Sequence, residues 1–158
     1  MSRIRLYDGP LTGNQVAGLA CAELPGAICG LTRAEYVARA DGICKWTTHR
    51  FYAAVAGLDT AELEDLAVWS EAAARISWDA LARLHALPPP EADRALLDED
   101  YSLREQELDV LLQLAAAASA GDTARVERLM DERIRLAHQR ALDAPGHLPW
   151  ECPVALGA

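Results

Sequence analysis

"LTRAEYVARADGICKWTTHRFYAAVAG", residues 31–57, decides the architecture of this chain. Thr32 stands where a helix N-cap would, Glu35 follows three residues later, and Leu31 and Tyr36 are placed as a hydrophobic staple. That spacing predicts a helix from about residue 33. Tyr36, Val37, Ala40, Ile43, Cys44, Thr47, Phe51 and Val55 then recur at steps of three and four, which marks one face of an α-helix. Gly57 supplies the stop. Cys44 falls on the apolar stripe, where a thiol lacks both the exposure and the neighbouring base that a nucleophile needs.

Outward from this segment the same grammar repeats. "LDTAEL", residues 58–63, carries Leu58, Asp59, Glu62 and Leu63 in the same arrangement and opens a second helix with a seam through Leu66, Ala73, Ile76, Ala80, Leu84 and Leu87. "PPP", residues 88–90, stops it, because proline has no backbone donor. A third helix is expected from about Glu91 to Ala120, with Leu97, Tyr101, Leu108, Leu111, Leu112 and Ala115 inward. Gly121 closes it, and Asp122 caps a fourth helix to about Leu142 through Val126, Leu129, Met130, Ile134, Ala137 and Ala141. No stretch alternates convincingly as a strand.

The expected fold is therefore all-α: an up-down-up-down four-helix bundle over residues 31–142. Residues 1–30 read as an irregular N-terminal arm, and residues 143–158 as a tail packed back on the first helix. The third helix is rich in acids (Asp93, Asp98, Glu99, Asp100, Glu105, Glu107, Asp109) and the fourth in arginines (Arg125, Arg128, Arg133, Arg135, Arg140). These are expected along the outer edges of a hairpin, as solvated pairs contributing about 0 to 1 kcal/mol each.

At 158 residues and 51% hydrophobic, the chain can bury one core without help from a metal or a disulfide. The formal net charge is -9, and the arginines are interspersed with acids, so no basic face is expected to collect nucleic acid. No run approaches the ~18 apolar residues of a spanning helix, so no transmembrane segment is expected.

Most catalytic and metal chemistries lack their residues. A di-iron bundle needs Glu-x-x-His on two helices, and none of the histidines has Glu three positions before it. Cys44 and His49 are five apart, which turns the side chains about 140° from each other on a helix. There is no Cys-x2-Cys, no haem-attachment motif, no phosphate loop and no nucleophile elbow. No catalytic residue, metal or cofactor is assigned. A single axial histidine stays open, and His49 or His85, with Trp46 and Trp78 lining an apolar cavity, is the candidate site for an apolar ligand or haem.

Four cysteines, Cys21, Cys29, Cys44 and Cys152, permit two disulfides. In an up-down-up-down bundle the fourth helix ends at the pole where the first begins. The tail "DAPGHLPWEC" can then climb along helix one at about 3.3 Å per residue, while Cys44 lies roughly 17 Å up the axis. Cys152 can reach it, with Trp150 beside it to cover the site. Cys21 and Cys29 flank "AELPGAI", whose Pro25-Gly26 is a turn signal, which makes them the candidate pair for a local second bridge.

"LTRAEYVARADGICKWT", "LHALPPPEADR", "LLQLAAAASAGDTARVERLM" and the cysteine near the C-terminus together resemble a family of small, mostly uncharacterised all-helical proteins of actinobacteria, typically secreted or lipid-anchored. The resemblance spans about residues 31–152. It implies export and a Cys44 to Cys152 pairing rather than an activity. A start at Met1 without an apolar leader would instead imply the cytoplasm. The leading expectation is a non-enzymatic protein of the cell envelope or extracellular space, acting through an unknown protein partner or as a surface component. The alternatives are an apolar-ligand or haem-binding bundle, and a cytosolic enzyme or adaptor with free thiols.

Overall fold

The computed structural model describes residues 31–143, and side chains as far as residue 140. Four helices occupy this span: α1 (Arg33–Val55), α2 (Leu63–His85), α3 (Arg94–Ser119) and α4 (Thr123–Asp143), with a short 3-10 turn at Glu91–Asp93 and no strand among the described residues. The expected N-terminal arm, the tail, and with them Cys21, Cys29, Trp150 and Cys152, lie outside the described residues.

α1 begins as its sequence requires. Thr32 Oγ1 accepts from the Glu35 amide at 3.3 Å, and Glu35 Oε2 accepts from the Thr32 amide at 3.0 Å, so the capping box is complete. The second box is not formed where the spacing placed it. Asp59 Oδ1 instead accepts from the Ala61 amide at 3.0 Å, and Asp65 Oδ2 accepts from the Asp59 amide at 2.7 Å. An Asx turn thus consumes the residue expected to cap, and α2 starts at Leu63 without a side-chain cap.

Pro88–Pro90 break the chain as expected, but residues 91–93 form a 3-10 turn and the α-helix starts only at Arg94. α3 ends in a Schellman arrangement: Asp122 N donates to Ala117 O and Gly121 N to Ala118 O, both at 3.0 Å, with Gly121 at φ 69°. Asp122 Oδ1 then accepts from the Arg125 amide at 3.0 Å, which caps α4 as predicted.

Each helix packs on its neighbour in sequence, α1 on α2, α2 on α3 and α3 on α4. Cross-contacts show that the direction alternates. Phe51 meets Trp69 edge-on at 5.6 Å while Arg83 stacks on Trp46 at 4.1 Å, so α1 and α2 are antiparallel. His85 lies beside Tyr101 at 4.4 Å, and Arg140 reaches Glu107 at 2.7 Å, which gives the same sense to the later pairs. Among the described residues α1 and α4 are not a closely packed pair. Contact across the fold runs instead from Tyr36 of α1 to Tyr101 of α3 and from Arg133 of α4 to Trp69 of α2.

The core is built from Tyr36, Ala40, Cys44 and Phe51 of α1, the Leu66 to Leu84 stripe of α2, and Leu97, Tyr101, Leu108, Leu111 and Leu114 of α3. Two expected core positions are wrong. Leu112 and Ile134 are 44% and 51% exposed, and their places are taken by Leu114 and Leu136. Gly42 faces open space, with nothing within 4 Å of a side chain built there. Gly42→Ala is expected to stabilise the protein by about 0.5–1 kcal/mol in urea unfolding, since it removes backbone entropy from mid-helix at no steric cost.

Candidate functional site

The residues singled out by sequence do not converge. Cys44 is 3% exposed, within the core, and carries no free thiol. His49 is exposed on α1 and lines an open cleft of about 800 Å³ with Asp41, Cys44, Lys45, Thr48, Tyr52 and Ala53. These residues recur at helical spacing, so the cleft runs along one side of α1. Thr48 Oγ1, at its edge, is buried without a hydrogen-bond partner.

His85 lies elsewhere, with its ring against Tyr101 and Nε2 3.6 Å from Glu105 Oε1. Trp78 packs against the core. The Trp46 ring has the guanidinium groups of Arg50 at 4.7 Å and Arg83 at 4.1 Å, and Asp79 pairs with both arginines, at 3.2 and 3.3 Å. Such a stack is worth about 0.5–1 kcal/mol per cation at an exposed site. The two imidazoles and two indoles thus sit in separate surroundings, and only His49 of the four lines the cleft.

The densest polar chemistry is where the sequence reading expected a solvated edge. Asp100 and Glu107 are 3% and 1% exposed, inside the fold. Arg104 Nε donates to Asp100 Oδ2 at 2.6 Å, and Arg140 Nη1 donates to Glu107 Oε2 at 2.7 Å. Glu107 Oε1 has no hydrogen-bond partner among the described residues. Burial pushes the Glu107 carboxyl up from its ordinary value, against the pull of Arg140 and Arg104, while burial draws the Arg140 guanidinium down.

Beside them the Tyr36 and Tyr101 hydroxyls hydrogen-bond to each other, and burial raises both phenols. At the pole where α1 begins, Arg33 grips Asp93 through two nitrogens, with Nε 2.7 Å from Oδ2, and these hydrogen bonds hold the Asp93 carboxyl below its usual range. This tie is present above the ordinary aspartate pKa and is lost as pH falls through the lowered value.

The buried acids leave a trace in the sequence. Asp100, Arg104, Glu107, Leu111 and Leu114 step by four, three, four and three, so the charges occupy the core-facing stripe itself. Among the described residues no three His, Cys, Asp or Glu side chains gather as a metal site, and no helix is long and apolar enough to cross a membrane. Comparison with family models, curated proteins and solved structures finds no match to this chain.

Removing one member of the buried pair should be costly and removing both should not. Arg140→Met alone is expected to destabilise by about 3 kcal/mol, because it strands Glu107. Adding Glu107→Leu to it is expected to recover most of that loss, and a double-mutant cycle in urea measures the difference.

Proposed function

We propose that this is a non-enzymatic, disulfide-stapled helical protein of the cell envelope or extracellular space, acting through contact with another protein or as a surface component. The observation that carries this reading is Cys44, which is buried at 3% exposure and has no free thiol. We assign its partner as Cys152. α4 runs back toward the pole where α1 begins, and the residues after Asp143 are enough to bring Cys152 to Cys44. A bridge closing so long a loop stabilises by about 4 to 5 kcal/mol in the chain-entropy model. Disulfides of this kind persist in oxidising compartments, which supports an exported protein, as does the resemblance to secreted actinobacterial helical proteins.

Peptide mapping under non-reducing conditions is expected to recover the Cys44 peptide linked to the Cys152 peptide. Four free thiols in protein prepared under oxidising conditions, or a Cys44 link to Cys21 or Cys29, would overturn the assignment.

A second reading is favoured by one observation, the cleft that contains His49. On that reading the cleft beside α1 takes an apolar ligand or haem, with His49 as the polar contact. Haem titration should then give a shifted Soret band that disappears in His49→Ala; an unshifted spectrum in the parent protein removes the haem form of this reading.

A further inference from the structure

α4 is held to the rest of the molecule in a way that the other helices are not. Among its described side chains only Val126 and Leu136 are buried, with Leu129 and Met130 half-buried, whereas α2 and α3 each bury a continuous stripe. Its best-formed long-range polar contact is Arg140 to Glu107. Arg140 keeps 23% of its side chain in solvent, while the Glu107 side chain is 1% exposed, so the cost of desolvation falls mainly on the carboxylate.

Glu107 satisfies only half of itself. Among the described residues Oε2 accepts one hydrogen bond and Oε1 accepts none. The charged groups acting on it are Arg104 and Asp100 from its own helix and Arg140 and Arg133 from α4; α2 adds none to this set. Were α4 to lift away, both carboxylate oxygens would gain water. Undocking therefore favours the ionised form, and by linkage protonation favours docking.

We propose that Glu107 is a pH-sensitive latch for α4: the helix docks more tightly on α3 when this carboxyl is protonated and loosens as pH rises toward neutral. α4 then opens more readily near neutral pH than in mild acid, and the face of α3 beneath it is what opening would expose. The direction is opposite to that of the Arg33–Asp93 tie, which acid weakens. The latch does not depend on how the cysteines pair.

Hydrogen exchange by mass spectrometry on the full chain tests it, reading peptides of residues 123–143 between pH 5 and 8 after correction for intrinsic exchange. Protection of α4 is expected to fall with rising pH, by as much as about tenfold for each unit by which docking raises the carboxyl pKa. Glu107→Gln should abolish that slope. Glu105→Gln, a change at a half-exposed carboxylate on the same helix, should retain it. A wild-type slope that is absent or reversed, or one that persists in Glu107→Gln, overturns the proposal. Should Glu107→Gln fail to fold, carbon-13 NMR of the wild-type carboxyl decides. A Glu107 midpoint above the ordinary glutamate range supports the latch, and one at or below that range overturns it.

Discussion

α3 has to lie dry between two neighbours while carrying carboxylates on its inner stripe, and the rest of the structure is arranged around that constraint. An unpaired buried carboxylate costs several kcal/mol, so each of the two must be met by a cation or lose its charge. Asp100 is met from within the helix by Arg104, one turn on, which neutralises it without fixing any neighbour. Glu107 is met from 33 residues away by Arg140, and that contact joins two helices. The tyrosine pair does the same on the other flank, joining α1 to α3. These polar contacts supply what the apolar faces lack. Many of the buried positions of α2 and α3 are alanine, including Ala72, Ala73, Ala74, Ala80, Ala115, Ala117 and Ala118, and such small side chains let helices approach closely but specify little about register. A hydrogen bond between two particular side chains has one satisfactory alignment, so these contacts constrain the register of α4 against α3 and of α1 against α3.

What could be read in the sequence was chemistry confined to a few consecutive residues. The Thr32–Glu35 box, the Gly121 reversal with its Asp122 cap and the proline break all form between groups within five positions of one another, and all appear where expected. The readings that failed required knowledge of a competitor or of a neighbour. Asp59 had two uses, and the turn to Ala61 prevailed because Asp65 was in place to hold the Asp59 amide. Leu112 and Ile134 are apolar but lie off the axis of contact between their helices, and hydropathy reports a side chain's preference without reporting where the next helix is. The buried carboxylates failed for the converse reason. The expected pairing of α3 acids with α4 arginines is met in Glu107–Arg140, but a charge pattern reports a partner without reporting whether the pair lies at the edge or inside the fold. The cleft was unreadable in the same sense. It borders the polar side of α1, at Asp41, Lys45, Thr48 and His49, and periodicity marks such a side only as facing away from the core.

Cys44 stands at the boundary between these two sides of α1, on the core stripe and also against the cleft. That placement bears on what kind of disulfide it would make. Exchange requires a thiolate to attack along the line of the sulfur–sulfur bond, so its rate depends on access as much as on potential. A sulfur on a residue only 3% exposed, one helical turn from buried Ala40 and nearly one turn from buried Thr47, offers little approach until α1 itself shifts. Under the pairing proposed here, reduction would be coupled to local opening of α1. A bridge so protected behaves as scaffolding. Among the described residues, groups that respond to their surroundings are then the half-satisfied Glu107 within the fold, the Arg33–Asp93 tie that acid weakens, and the side chains that line the cleft.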